Sequence, residues 1–397
     1  MTDAIAITAS TVDARTRDGN ALAPYSNGYT FSRDLRYGLN GQGWGGTVAL
    51  VRATEALYPD AAGIWTKAAS GAARINTTNG LMTEAAAINK VTVYNAPGVG
   101  SPTTGYGVTG TASVSVVDDA TALAALVDSG ICTYAIDMQG GGSGGTVTVT
   151  GAASAATHSM QCIARHVTGS GASFALGALG STAISGTAYA RYLSEGISAV
   201  GGEVVTFTIP AGVTIRVVLV GLEAGQACTT PIITSGATGT RNADAVSYNA
   251  TGLVTLDELT IAVEYMPIGD LRTSRTVFDF GTATNRITIY LLNTAARPHR
   301  TLIASNGVTQ ATFASAATTP TLDAFHTIAV SARANDFRLY LDGAQEDSDT
   351  AGSMPLSLTT GYIGCAYTGT FNLGGWIRSL TVYPFAMAQG QMEQVTA

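Results

Sequence analysis

Phe337-Arg338-Leu339-Tyr340-Leu341-Asp342-Gly343 is the stretch on which the fold turns. Phe337, Leu339 and Leu341 point to one face and Arg338 and Tyr340 to the other, the period-two alternation of a half-buried antiparallel strand. Asp342-Gly343 supplies the positive-φ positions of a two-residue turn, so the chain doubles back and the strand belongs to a hairpin. Working outward, residues 259–266 (LTIAVEYM), 286–292 (RITIYLL) and 327–332 carry the same β-branched and aromatic content and read as strands. A short helix over 386–395 is expected to cap an open sheet edge.

The same logic extends upstream. Residues 111–117 alternate, and 146–150 form a strand after a Gly140 to Gly145 stretch that reads as a flexible loop. Residues 203–209 and 213–220 are two strands joined at Pro210-Ala211-Gly212, where proline presets φ and glycine allows the reversal. One helix is expected between the strands at 111–117 and 146–150, with Asp118 or Asp119 as N-cap, Leu123, Leu126 and Val127 on one stripe and Gly130 beyond its end.

The chain has 397 residues, 46% hydrophobic and 12% charged, with 47 glycines and 11 prolines. That composition suits many short strands joined by tight turns, and the glycines have no three-residue period, which excludes collagen. Length at about 150 residues per domain gives two or three domains. The expected class is mainly β: two antiparallel β-sandwich or jelly-roll domains, over 96–240 and 241–397, after an irregular docking segment over 1–95. That segment carries both lysines, Lys67 and Lys90, and the tryptophans Trp44 and Trp65 among scattered glycines.

Net charge is −7 and the basic residues are scattered singly, so nucleic acid is not an expected partner. The N-terminal residues lack a basic and apolar leader pattern, and no run of about 20 apolar residues occurs, so neither export nor a membrane partner is expected and the product is expected to fold in a cytoplasm. Cys132, Cys162, Cys228 and Cys365 are widely spaced, as buried free thiols in a reducing compartment would be. With histidines only at 158, 166, 299 and 326, no structural zinc site is expected.

Several motifs tempt a catalytic reading. Gly141-Gly142-Ser143-Gly144-Gly145 matches G-x-S-x-G, but a nucleophile elbow joins an apolar strand to a helix, and this serine sits in a glycine tract leading into a strand. Gly41-Gln42-Gly43-Trp44-Gly45-Gly46 matches G-x-G-x-x-G, yet residues 32–37 before it are too charged for a buried strand. Asp118 and Asp119 are adjacent and cannot face each other across a substrate. Glu346, Asp347 and Asp349 follow the hairpin and read as a solvated turn, with Ca2+ as the one cofactor left open. No catalytic or metal-ligating residue is therefore assigned. Tyr362, Tyr367, Phe371, Trp376 and Tyr383 cluster near the C-terminus. Most belong in a core, while Tyr367 and Trp376 are the candidates for a glycan or protein contact, because an aromatic ring stacks on a sugar's apolar face.

Residues 326–330 (HTIAV), 337–343 (FRLYLDG), 358–364 (LTTGYIG) and 374–383 (GGWIRSLTVY) together resemble the concanavalin A-like, laminin-G-like jelly roll. His326 follows Phe325 where that family usually has Trp. Upstream, 220–237 with Arg241-Asn242-Ala243-Asp244 is similar to the ending of carbohydrate-binding-like sandwiches in phage and prophage structural proteins. Ala73-Arg74-Ile75 and 80–89 (GLMTEAAAIN) resemble the segment that precedes such modules. Val220 stands where Gln is usual, and Ala87-Ile88 where Arg-Thr is usual.

The resemblance implies a non-enzymatic virion surface protein of a bacteriophage or prophage, a head fibre, capsid decoration or tail fibre assembled in the host bacterial cytoplasm. Its expected partners are other virion proteins, through residues 1–95, and host cell-surface polysaccharide; a homotrimer stays open as the assembled state. Two alternatives stand beside it: a purely architectural capsid or baseplate protein, and a polysaccharide-degrading tailspike, which needs a carboxylate pair across a cleft.

Overall fold

The computed structural model describes residues 31–35, 48–251, 257–269, 274–292, 294, 298–315 and 320–397. The motif at 41–46, Trp44 and most of the expected docking segment before residue 48 lie outside the described residues. The first strands are β1 (Phe31–Asp34), β2 (Val48–Val51), β3 (Ala56–Pro59), β4 (Trp65–Ala68), β5 (Ile75–Asn76), β6 (Gly80–Thr83) and β7 (Ala87–Asn89). Then follow β8 (Tyr106–Asp118), helix α1 (Ala120–Leu123), β9 (Tyr134–Ala152), β10 (Thr157–Thr168), β11 (Ser173–Leu176), β12 (Leu179–Ala183), β13 (Ala190–Ser198), β14 (Val204–Ile209), β15 (Thr214–Ala224) and β16 (Gly239–Arg241). The C-terminal part holds β17 (Ala245–Asn249), β18 (Glu258–Pro267), β19 (Arg275–Gly281), β20 (Arg286–Leu291), β21 (His299–Ser305) and β22 (Val308–Ala314). It ends with β23 (His326–Arg333), β24 (Asp336–Leu341), β25 (Ala344–Asp349), β26 (Thr360–Ile363), β27 (Gly375–Tyr383) and helix α2 (Gln389–Thr396). The chain is mainly β, with antiparallel sheets of jelly-roll type.

These elements form two compact units. One contains the described residues up to Arg52, with Ile75–Ala85 and Ala243–Ala397; the other contains Ala53–Arg74 and Ala86–Asn242. Residues 48–95, expected to be irregular, therefore carry strands that serve both units. β2 pairs with β17, β6 pairs with β27, β7 pairs with β16, and β3 and β4 form a hairpin. Strands of two to four residues are too short to display a period, and β6 is buried at all four positions, so no alternation marks it.

In the unit with the C-terminus, two sheets face each other. One runs β25-β24-β23-β18-β27-β6-β5, with β1 also on β27; the other runs β2-β17-β26-β19-β20-β21-β22. Inward rows supply the core: Ile261, Val330, Leu339, Phe278, Phe280, Ile289 and Ile303 are each fully buried. Tyr248 stacks beside Phe278 and Phe280 with ring centroids 6.5 and 6.3 Å away. Its ring crosses β26 at Gly361, where a Cβ would lie 2.1 Å from the ring, so only glycine leaves the space.

The β24–β25 hairpin turns at Asp342 (φ 48°) and Gly343 (φ 84°), as its sequence requires. Tyr340, expected to face solvent, is buried as well. Helix α2 explains this: Met387 and Met392 pack with Tyr340 over Ala262 and Ala329, whose small side chains let the helix approach the sheet. The helix thus covers a sheet face, where the sequence reading had it capping an edge.

In the other unit one continuous sheet, β12-β11-β14-β9-β15-β10-β13 with β8 added on β9, wraps around a core that includes Met138, Val147, Phe174, Phe207 and Val217. Its end strands meet, with Thr182 Oγ1 donating to Leu193 O at 3.2 Å and Ser194 Oγ to Gly180 O at 2.6 Å. The run Gly140 to Gly145, expected as a loop, is the middle of strand β9. A Cβ on Gly140 would lie 2.1 Å from Pro210 O and one on Gly145 2.2 Å from Thr109 O, so the glycines let one strand bend and serve both halves of the sandwich. Ser143 lies in that bend, its N–H donating to Thr111 Oγ1 at 3.2 Å. The expected helix shrinks to the single turn α1, with Leu123 and Val127 buried.

Candidate functional site

The β19 sequence RTVFDFG is buried throughout, and its pleat sends Phe278 and Phe280 into the core and Asp279 to the opposite face. Registers across the seven-stranded sheet place Ser247, Tyr362, Asp279, Thr288 and Leu302 in one rung on that outer face. Tyr290 and Arg300 sit opposite each other one step along. Except for Asp279 and Thr288, these side chains are half-buried, which makes an accessible polar and aromatic surface.

The segment after β26 folds back over Asp279. Gly364 N–H donates to Val277 O at 3.0 Å, Thr276 N–H donates to Phe371 O at 2.7 Å, and Tyr367 N–H donates to Asp279 Oδ2 at 2.9 Å. Arg286, entering from the β19–β20 turn, lays its guanidinium carbon 5.4 Å from the centroid of the Tyr367 ring. Asp279 is fully buried beneath this cover. Burial pushes its carboxyl up to about 6, against the lowering effects of the Tyr367 N–H and the Arg286 charge. Two buried polar atoms here have no hydrogen-bond partner among the described residues, Asp279 Oδ1 and Arg286 Nε. One is an acceptor and the other a donor, so a hydroxyl group is complementary to both. Phe371, with φ 53° and 58% of its surface exposed, projects from the same loop.

Of the two contact residues expected from sequence, the structure brings only Tyr367 to this site. Trp376 is 1% exposed on β27, in register with Met82 and Met266. Its ring meets no solvent and cannot stack on a sugar. Asp279 and Arg286 carried one weak signal, a lone acid between two phenylalanines and an arginine at a strand start; only the register shows that they converge with Tyr367.

The other acids have different tasks. Asp119 accepts from Arg165 at 2.8 Å, Arg216 at 2.8 Å and Tyr189 at 2.8 Å, which ties α1 to the sheet. Glu346, Asp347 and Asp349, expected in a turn, lie along strand β25, the two aspartates opposite Leu339 and Phe337 and Glu346 at a register break. Among the described residues no group of three or more His, Cys, Asp or Glu side chains is arranged to hold a metal ion. All four cysteines are buried free thiols.

The upstream signature residues are also buried. Asn89 Nδ2 donates to Val220 O and Ile232 O at 3.0 Å each and its Oδ1 accepts from Leu222 N at 3.0 Å. Asn95 repeats the first two bonds at 2.9 Å. Glu223 accepts from Gln161 at 2.9 Å, and Arg74 and Arg241 both reach Thr230 Oγ1, at 3.1 and 2.9 Å. In the other unit Asp244 accepts from Arg52 at 2.7 Å and from Glu84 N at 2.9 Å. These side chains satisfy backbone and partner groups of the chain itself, as buried polar groups must.

Residues 239–392 match the sequence family of the concanavalin A-like lectin/glucanases superfamily. No curated protein matches the chain. Among solved structures, the carbohydrate-binding module CBM40 of Ruminococcus gnavus IT-sialidase, bound to α2,3-sialyllactose, is similar at 16% identity, over 37% of this chain and 87% of that one, with TM-score 0.33. Domain 4 of AbnA, a GH43 extracellular arabinanase from Geobacillus stearothermophilus in complex with arabinotriose, is similar at 16% identity, over 39% and 73%, with TM-score 0.31. A heptameric SAP-like pentraxin from Limulus polyphemus is similar at 13% identity, over 36% and 70%, with TM-score 0.27. At these identities and TM-scores the likenesses say nothing about the ligand or role of this chain. Over residues 239–392 the chain is a concanavalin A-like, laminin-G-like jelly roll.

Proposed function

We propose that this chain is a non-enzymatic glycan-binding protein whose site is the outer face of the seven-stranded sheet, around Asp279, Arg286, Tyr362 and Tyr367. The observation that carries the reading is the pair of buried, unpartnered atoms Asp279 Oδ1 and Arg286 Nε beneath an aromatic ring. A sugar hydroxyl donates to the first and accepts from the second, while Tyr367 and Tyr362 offer ring faces. Binding requires the terminal nitrogens of Arg286 to swing off the Tyr367 ring about the Cδ–Nε bond while Nε keeps its place, a modest cost of about 0.5–1 kcal/mol for a partly exposed cation–π contact. Affinity per site is therefore weak, and many copies on one particle would raise it through avidity.

The finer reading is a phage or prophage virion surface protein, a head fibre, capsid decoration or tail fibre, docked through its N-terminal region. Its support is the sequence resemblance at 73–89 and 220–244. Locating the labelled chain on purified particles tests this placement, and a reducing-sugar assay on host polysaccharide tests the absence of cleavage. Sugar release would favour the tailspike alternative. The architectural alternative has its own support: the signature residues Asn89, Glu223, Arg241 and Asp244 bond to the chain itself. A protein that occupies the particle and binds no glycan would leave that reading standing.

A further inference from the structure

We propose that strand β8 is the edge through which two copies of this chain pair, antiparallel and two-fold, centred on Ser113. β8 is a 13-residue strand whose one pairing partner among the described strands is β9. In an antiparallel ladder every second residue of such a strand turns its N–H and C=O away from the neighbour, so a row of backbone groups lies open. The sheet's other two ends are closed on each other by the Thr182 and Ser194 bonds, which leaves β8 as its open edge among the described residues.

The core-side side chains of β8 are only partly covered by the described residues as well. Tyr106, Val108, Val114 and Val116 face the core side, opposite Val149, Val147, Met138 and Ile136, which are at most 1% exposed. On β8 itself Val108 is 50% exposed and the other three are half-buried. The apolar row of the core therefore runs to the edge of the sheet with only a partial cover among the described residues.

The sequence of this edge selects its occupant. Residues 106–117 contain no charged residue and no proline, two of the devices that keep exposed edges apart, and the one register break against β9, between Gly110 and Ala112, lies to one side of Ser113. In a two-fold contact each residue meets its own copy or a near neighbour, so any central charge would face itself; a neutral strand avoids that conflict. Pairing about Ser113 sets Ser113 against Ser113 and Ala112 against Val114, while Thr111, whose hydroxyl bonds Gly144 O, lies at the register break beside them. Hydroxyls then meet hydroxyls on one face and apolar groups meet apolar groups on the other. A second copy of this chain fits the edge on both faces.

Sedimentation equilibrium of the full chain tests the pairing, comparing wild type, Ser113→Lys, Ser113→Glu and an equal mixture of the two variants. Ser113 is exposed, so folding should survive, as circular dichroism would verify. The expected result is a wild-type dimer, at least about tenfold weaker association for each variant alone, and recovery in the mixture, where Lys faces Glu. A monomeric wild type, a three-chain particle, undiminished association of either variant, or a mixture that stays monomeric would each overturn it. Hydrogen exchange on unmutated protein gives a second reading: alternate amides of 106–117 should gain protection as concentration rises, and equal exchange in dilute and concentrated samples contradicts the pairing.

Discussion

Asp279 accepts a hydrogen bond from the Tyr367 N–H at 2.9 Å through one carboxylate oxygen, while its other oxygen is buried and unpaired. A half-satisfied carboxylate in the interior of a sheet is an energetic liability.

That liability gives a pH dependence with a definite sign. The folded-state value of about 6 lies above the usual carboxylate value, so the contribution of Asp279 to stability is full below about pH 4 and lost as pH rises through about 6. Asp279→Asn should be more stable than wild type at pH 8, by roughly 1–3 kcal/mol, with the gap closing near pH 4. Denaturant titrations at both pH values check this, and a gap that does not change with pH would count against it.

His299 acts in the opposite direction. It is buried, bonded to the Tyr265 hydroxyl, and burial with the nearby His326 pushes its imidazole down to about 3. Its contribution is present above about pH 6.5 and lost as pH falls toward 3. His326, raised by its 2.6 Å bond to Asp342, opposes it, contributing below about pH 6.5. His299→Gln should flatten the loss of thermal stability between pH 6.5 and 4, whereas an unchanged slope would remove His299 from the account.

Trp376 and Tyr367 should separate cleanly. Trp376→Ala opens a core cavity and should cost about 3–5 kcal/mol. Tyr367→Ala keeps the backbone N–H that holds Asp279 and should cost about 1 kcal/mol or less, while weakening glycan binding. Chemical denaturation of both variants checks the contrast, and equal losses would show that Tyr367 is a core residue too.

Gly361→Ala tests the packing under the site. The new methyl would meet the Tyr248 ring, and the expected loss is about 1–3 kcal/mol. A thermal midpoint unchanged from wild type would mean that the ring has room to move.

The long strands were legible because burial on one face imposes a period, as in 337–341, and the Asp342-Gly343 turn could be placed from its backbone demands alone. β6 was invisible because a four-residue strand buried on both faces has no period, and the glycine run of β9 imitates a loop while serving as a bend. Trp376 and Tyr367 look alike in sequence, yet the first is on β27, buried by its neighbours, and the second is in the turn after β26, a difference that local pattern does not reveal. Asp279, Arg286 and Tyr367 meet only through the β19–β20 and β19–β26 registers, which are long-range facts.

The most direct test of the account is a glycan array probed with wild-type chain and with Arg286→Ala, followed by titration of the strongest sugar. Binding by wild type that falls at least about tenfold in Arg286→Ala, with thermal stability retained, is the predicted result. Wild-type protein that binds no glycan, or a variant that binds as well as wild type, would contradict it.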